Sequence, residues 1–166
     1  ANYEELTRGQ RDLLESEERY RNIVEDQTEF ICRFFPDGRL SFVNGAYCRY
    51  FGLDPAACIG KPHTVRIPPG DRESVNRHLA AFSPDHPVAT IEHRILMPNG
   101  EVRWQRWSDR AVFNKNGKVT EYQSVGRDTT GQHGVIEQLK RTNTELSAAY
   151  EQLAATEEEL RANYEE

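Results

Sequence analysis

Along residues 135–166 the apolar positions recur every seven residues, at Leu139, Leu146, Leu153 and Leu160. Ile136, Asn143, Tyr150, Glu157 and Tyr164 form a companion row three positions earlier. With the leucines at d and the companions at a, the repeat predicts a left-handed coiled coil. Asn143 is the polar a-position residue that fixes register, and Glu157 is a flaw in the same seam. A shorter version covers 3–24, with Leu6, Leu13 and Tyr20 in one row and Tyr3 and Val24 in the other, broken by Gln10 and Glu17. A lone helix with so narrow an apolar face gains little from burial. Both arms therefore call for a partner, and a parallel homodimer is the expectation.

Between the arms, roughly over 28–130, the pattern changes period. Phe30–Phe35 and Leu40–Val43 are strand candidates around the turn Pro36-Asp37-Gly38-Arg39. Asn44 is placed to cap a short helix over Ala46–Phe51. Residues 54–70 hold four prolines and two glycines and are expected to form loops and short helical turns. Asp71–Phe82 fits a helix with Val75, Leu79 and Phe82 on one face. Three long strands follow, Ala89–Met97, Glu101–Phe113 and Lys118–Arg127, separated by Asn99-Gly100 and Asn116-Gly117, which are strong hairpin signals. The order predicts an α+β fold, a five-stranded antiparallel sheet with short helices on one face. The expected domains are a linker helix over 1–27, a central domain over 28–130 and a coiled-coil helix over 131–166.

The first five residues, Ala-Asn-Tyr-Glu-Glu, return as residues 162–166. The repetition points to a fragment of a tandem array with a period of 161 residues.

Composition narrows the function classes. The 166 residues are 37% hydrophobic and 29% charged, with a net charge of −6 and no basic cluster. That speaks against nucleic acid and against an anionic membrane surface. No apolar run approaches a membrane span. Cys32, Cys48 and Cys58 are scattered without metal-ligand spacing, as expected of a reduced, cytoplasmic protein with no metal site. No phosphate loop or nucleophile motif is present, so no catalytic residue is assigned.

Local sequences resemble those of the PAS domain family over about 15–130. Ser16-Glu17-Glu18-Arg19-Tyr20-Arg21 is similar to that family's lead-in helix, and Pro36-Asp37-Gly38-Arg39 with Val43-Asn44 to its first hairpin and helix cap. Phe51-Gly52, Ile59-Gly60-Lys61 and Ile91-Glu92-His93-Arg94 also match. So does Pro98-Asn99-Gly100-Glu101-Val102-Arg103-Trp104, and Gly126-Arg127-Asp128-Thr129-Thr130 resembles the closing signature that joins the last strand to an output helix. Thr129 departs from the usual aliphatic residue there. Gly131 and Gly134 are expected to loosen the start of that helix.

The resemblance implies a sensor module within a two-component receptor of the histidine-kinase type, with adjacent PAS or kinase domains as partners. The rival reading is a ligand-free scaffold for dimerisation and spacing. A weaker third is a small-molecule carrier or enzyme, against which the helical arms speak. A flavin photoreceptor of the family would need a Cys motif after Gly60, where Lys61, Pro62, His63 and Thr64 stand. An oxygen-sensing haem domain would carry a His at the position of Val75, three residues after Arg72. Neither cofactor is expected, although His78 on the same helix is kept as a candidate ligand contact beside its plainer reading as a surface or capping histidine. His133 lacks the flanking pattern of a phospho-acceptor and reads as linker.

A small-molecule site would draw on His93, which alternates with Ile91 and Ile95 and so shares their face of the sheet. A core histidine bonded to a neighbour is the equal alternative. Tyr47, Phe51 and Trp104 are the aromatic candidates. Asp128 and Thr130 are the expected relay into the C-terminal helix, with Arg94 or Arg106 as the partner of Asp128.

Overall fold

The computed structural model describes residues 3–62 and 65–164, with side chains from residue 8 onward. Ala1, Asn2, His63, Thr64, Glu165, Glu166 and the side chains of Tyr3 and Leu6 lie outside the described residues, so the terminal repeat and parts of the N-terminal row are not described.

Through Asp128 the chain runs α1 (Tyr3–Glu25), β1 (Phe30–Phe34), β2 (Leu40–Val43), α2 (Gly45–Phe51), α3 (Pro55–Cys58), α4 (Pro69–Ala80), β3 (Val88–Leu96), β4 (Val102–Phe113) and β5 (Val119–Asp128). The five strands form one sheet in the order β2-β1-β5-β4-β3, every pairing antiparallel. The glycines of the three hairpin turns, Gly38, Gly100 and Gly117, have φ of 85°, 85° and 73°. A side chain there would strain the backbone, which explains why these turns carry Asp-Gly and Asn-Gly.

The short helices lie on one face of the sheet. Asn44 caps α2 by accepting from the Tyr47 N–H, and Asp54 caps α3 by accepting from the Ala56 N–H. A core of Phe30, Cys32, Leu40, Val43, Ala46, Tyr47, Cys48 and Trp107 fills the space between α2 and the sheet. Trp107 reaches this core because the residue opposite it on β5 is Gly126. A Cβ at Gly126 would stand 2.4 Å from the indole ring.

The second unit is α5 (Thr130–Tyr164), one helix of 35 residues. It begins five residues before the expected start at 135 and takes in Gly131 and Gly134, so the two glycines do not interrupt it. Two glycines cost about 2 kcal/mol of helix propensity, and the uninterrupted run of 30 residues after Gly134 carries the helix through them. Leu139, Leu146, Leu153 and Leu160 are 68%, 52%, 61% and 57% exposed, so the seven-residue row lies open along the helix. In α1, Leu13 and Tyr20 are likewise exposed.

Candidate functional site

Alternation along the strands decides which side chains can meet. His93 on β3 lies opposite Gln105 on β4, and Gln105 lies opposite Asp128 on β5. Asp109 lies opposite Ser124, and Ser124 opposite Cys32 on β1. These groups share the face that packs on the helices. Between that face, α4 and residues 65–67 lies a cavity of about 220 Å³. Val75, His78 and Leu79 line it from α4, Ile91 and His93 from β3, and Gln105, Trp107 and Asp109 from β4.

Its polar groups are few and buried. His78 Nε2 is 2.7 Å from Asp109 Oδ2, with both side chains about nine-tenths buried. His78 is thus a cavity-wall residue joining α4 to β4 rather than a surface or capping histidine. His93 Nδ1 is 3.1 Å from the carbonyl oxygen of Arg94. Trp107 Nε1 donates to Gln105 Oε1 at 3.0 Å, while Gln105 Nε2 and Ser124 Oγ, both buried, have no hydrogen-bond partner among the described residues. Burial, reinforced by Asp109, pushes the Cys32 thiol well above its ordinary range, so it stays neutral. Burial likewise raises the Tyr47 hydroxyl.

The structure brings Ile91, His93, Tyr47 and His78 together on this cavity and sends the other candidates elsewhere. Phe51 and Ile95 line a second cavity of about 300 Å³, beneath Leu40 and near Lys61 and Arg66. Trp104 faces the other side of the sheet, where the Arg94 guanidinium stacks over its ring at 5.6 Å. Trp107 takes the place expected of Trp104.

The arginine expected beside Asp128 also changes. Arg94 N–H and Nε–H donate to Asp71 Oδ2 at 2.8 and 3.0 Å, and Nη2 donates to Oδ1 at 2.5 Å. Arg106 pairs with Glu92 at 3.2 Å. Asp128 instead accepts from the Tyr50 hydroxyl at 2.6 Å, and Arg103 Nη1 lies 4.0 Å away. Arg94 and Arg106 stand on the face opposite Gln105, and Arg103 on its own face, which is why Arg103 reaches Asp128. Burial, and then the bond to Asp128, raise the Tyr50 hydroxyl above its ordinary range. Thr130 opens α5, with Thr129 alone between it and the end of β5 at Asp128. Among the described residues no group of three metal-ligating side chains is assembled, and no helix is long and apolar enough to cross a membrane.

A family model for the PAS fold matches residues 40–126. The chain belongs to the PAS fold family. The two-component sensor PprA of Pseudomonas aeruginosa is 30% identical to this PAS domain and its flanks over 127 residues. That match covers 76% of the chain and only 14% of the relative, so the chain spans about a seventh of the sensor's length. Among solved structures, one is a sensory box histidine kinase/response regulator from Burkholderia thailandensis, with a TM-score of 0.62 at 19% identity over 78% of this chain and 98% of that one. Another is the PAS domain of an HTR-like protein from Haloarcula marismortui, with a TM-score of 0.59 at 20% identity over 74% and 98%. At these identities the likeness is one of fold.

Proposed function

We propose that this PAS domain is the sensory module of a larger two-component sensor, that the 220 Å³ cavity is where a small molecule is detected, and that α5 carries the result away as half of a parallel homodimeric coiled coil. The observation that carries the reading is the cavity wall. Ligand sites are mostly apolar spaces with a few convergent polar groups, and here the His78–Asp109 pair and His93 stand in the wall of one such space. The wall includes β4 and β5, and β5 is followed after one residue by α5.

The relay runs through Tyr50, Arg103 and Asp128. A ligand that shifts the Gln105 end of β4 alters the strand position directly opposite Asp128. Asp128 is held to α2 by Tyr50, so the last residue of β5 registers changes in both the sheet and the helix layer. The seam of α5, with Asn143 and Glu157 in its a row, has two arrangements close in energy, and a ligand biases the pair only by its differential affinity for them.

Native mass spectrometry of the chain tests this, because it reports bound mass and oligomeric state together. Dimers carrying a bound small molecule are expected, and filling the cavity by Ile91→Trp should remove that mass and change the dimer fraction. A dimer fraction indifferent to the filling would sink the relay.

A further inference from the structure

We propose, resting on the ligand-sensing reading above, that the cavity takes an uncharged, apolar compound of one ring with a short alkyl substituent, recognised by shape and not by hydrogen bonds. Size sets the first limit. At about 220 Å³ the space exceeds the roughly 150 Å³ that holds benzene. It falls short of the ~300 Å³ at which pockets for drug-sized ligands begin.

Charge sets the second limit. Among the described residues no Lys or Arg lines the cavity. An anion there would be stripped of water with no fixed cation to replace it. The carboxylate of Asp109 is already engaged by His78 Nε2 at 2.7 Å, which leaves little for a cationic ligand.

The polarity of the open wall decides the rest. Gln105 Oε1 accepts from the Trp107 indole at 3.0 Å, and Gln105 Nε2 and Ser124 Oγ are sealed away from any open space. Burial keeps the Cys32 thiol and the Tyr47 hydroxyl neutral. His93 turns Nδ1 to the carbonyl of Arg94 at 3.1 Å. The surface left open to a ligand is almost entirely apolar, from Phe34, Val75, Leu79, Ile91 and Trp107 among others. An ordered water needs two to four polar partners, so a space of this kind stays dry. Its lining then lacks contact atoms on one side until an apolar molecule fills it. A polar group carried in gives up its hydrogen bonds to water and gains little in return.

The test is a titration of the unmodified chain with ethylbenzene, benzamide, benzoate and benzylamine at pH 7, followed by calorimetry and by the NMR signals of the Ile91 and Leu79 methyl groups. Ethylbenzene should bind at least tenfold tighter than each of the other three and shift those signals. Benzamide binding within tenfold of ethylbenzene, or tighter, overturns recognition by shape and leaves ligand sensing in place. Benzoate or benzylamine doing so overturns the uncharged class. Ethylbenzene that moves the methyl signals of Ile95 and Met97 instead lies in the second cavity, and the assignment to this one falls. Pressurised xenon entering where ethylbenzene does not overturns the ring. If no probe enters, and xenon also stays out, the ligand-sensing reading falls with it. The comparison needs no variant, so no outcome turns on how a substituted chain folds.

Discussion

Asn44 shows how much one side chain can hold. It is fully buried, and its oxygen accepts from the N–H groups of Ile31 and Tyr47, both at 3.0 Å. Its nitrogen donates to the carbonyls of Val24 and Glu29 at 3.1 and 3.0 Å, so the end of α1, the start of β1 and the cap of α2 meet on one amide. Asn44→Ala strands these groups together with a lost helix cap, and should cost about 2–4 kcal/mol. Urea unfolding checks it, and a loss below about 1 kcal/mol would mean that water replaces the amide. At Gly126 the added methyl of Ala would collide with Trp107, and overpacking of this kind costs about 1–3 kcal/mol. Gly126→Ala should also change the near-UV circular dichroism of the indole, whereas an unaltered spectrum would show that β5 yields instead. The cap at Asn44 was legible because it needs only local geometry. The choice between Trp104 and Trp107 was a matter of strand parity. A hairpin folded about Asn99 places His93 and Gln105 opposite each other, each six positions away, and so puts Trp107 on the face of His93 and Trp104 opposite Arg94. That arithmetic is contained in the Asn-Gly turn. The vacancy that Gly126 leaves for the ring is a cross-strand fact with no local signature.

At the level of elements, α4 is fastened to the sheet at two places, His78 to Asp109 and Asp71 to Arg94. The side-chain hydrogen bonds of Arg94, aided by its backbone N–H and opposed by burial, hold the Asp71 carboxyl down to about 2, against 3.8 unperturbed. A folded-state pKa below the unfolded one stabilises the fold above the unfolded value and loses that contribution as pH falls through the folded one. The Asp71–Arg94 contribution is therefore complete above about pH 4.5 and fades between pH 4 and 2. Asp71→Asn should be less stable than the parent chain at pH 6, with the gap closing by pH 2, as read from paired urea titrations. A gap that stays constant across that range would show that shape rather than charge matters there. The strands were readable in sequence because each is bounded by a turn that only a few residues can make. The start of α5 was not, because Gly131 and Gly134 signal a break that the long periodic helix beyond them overrides.

For the molecule as a whole, the proposed dimer rests on the four leucines of α5. Each buried against a partner contributes roughly 1.5–3 kcal/mol, against an association cost of about 4–15 kcal/mol. The isolated dimer is thus expected to be weak. Leu146→Asp with Leu153→Asp should give monomers whose PAS core still unfolds cooperatively, as measured by sedimentation velocity and urea titration. A dimer that persists unchanged would place the interface elsewhere. The bare helix has a thermodynamic consequence too. Its 35 residues would span about 52 Å with none of them buried. In proteins most helical stability comes from packing of an apolar face, and helicity without it depends on length and temperature. Secondary structure in this chain then becomes a function of concentration. On dilution the far-UV ellipticity should fall as α5 frays, while the near-UV signal of the enclosed Trp107 holds constant. Two regions of one polypeptide would melt by different laws, one unimolecular and one governed by mass action.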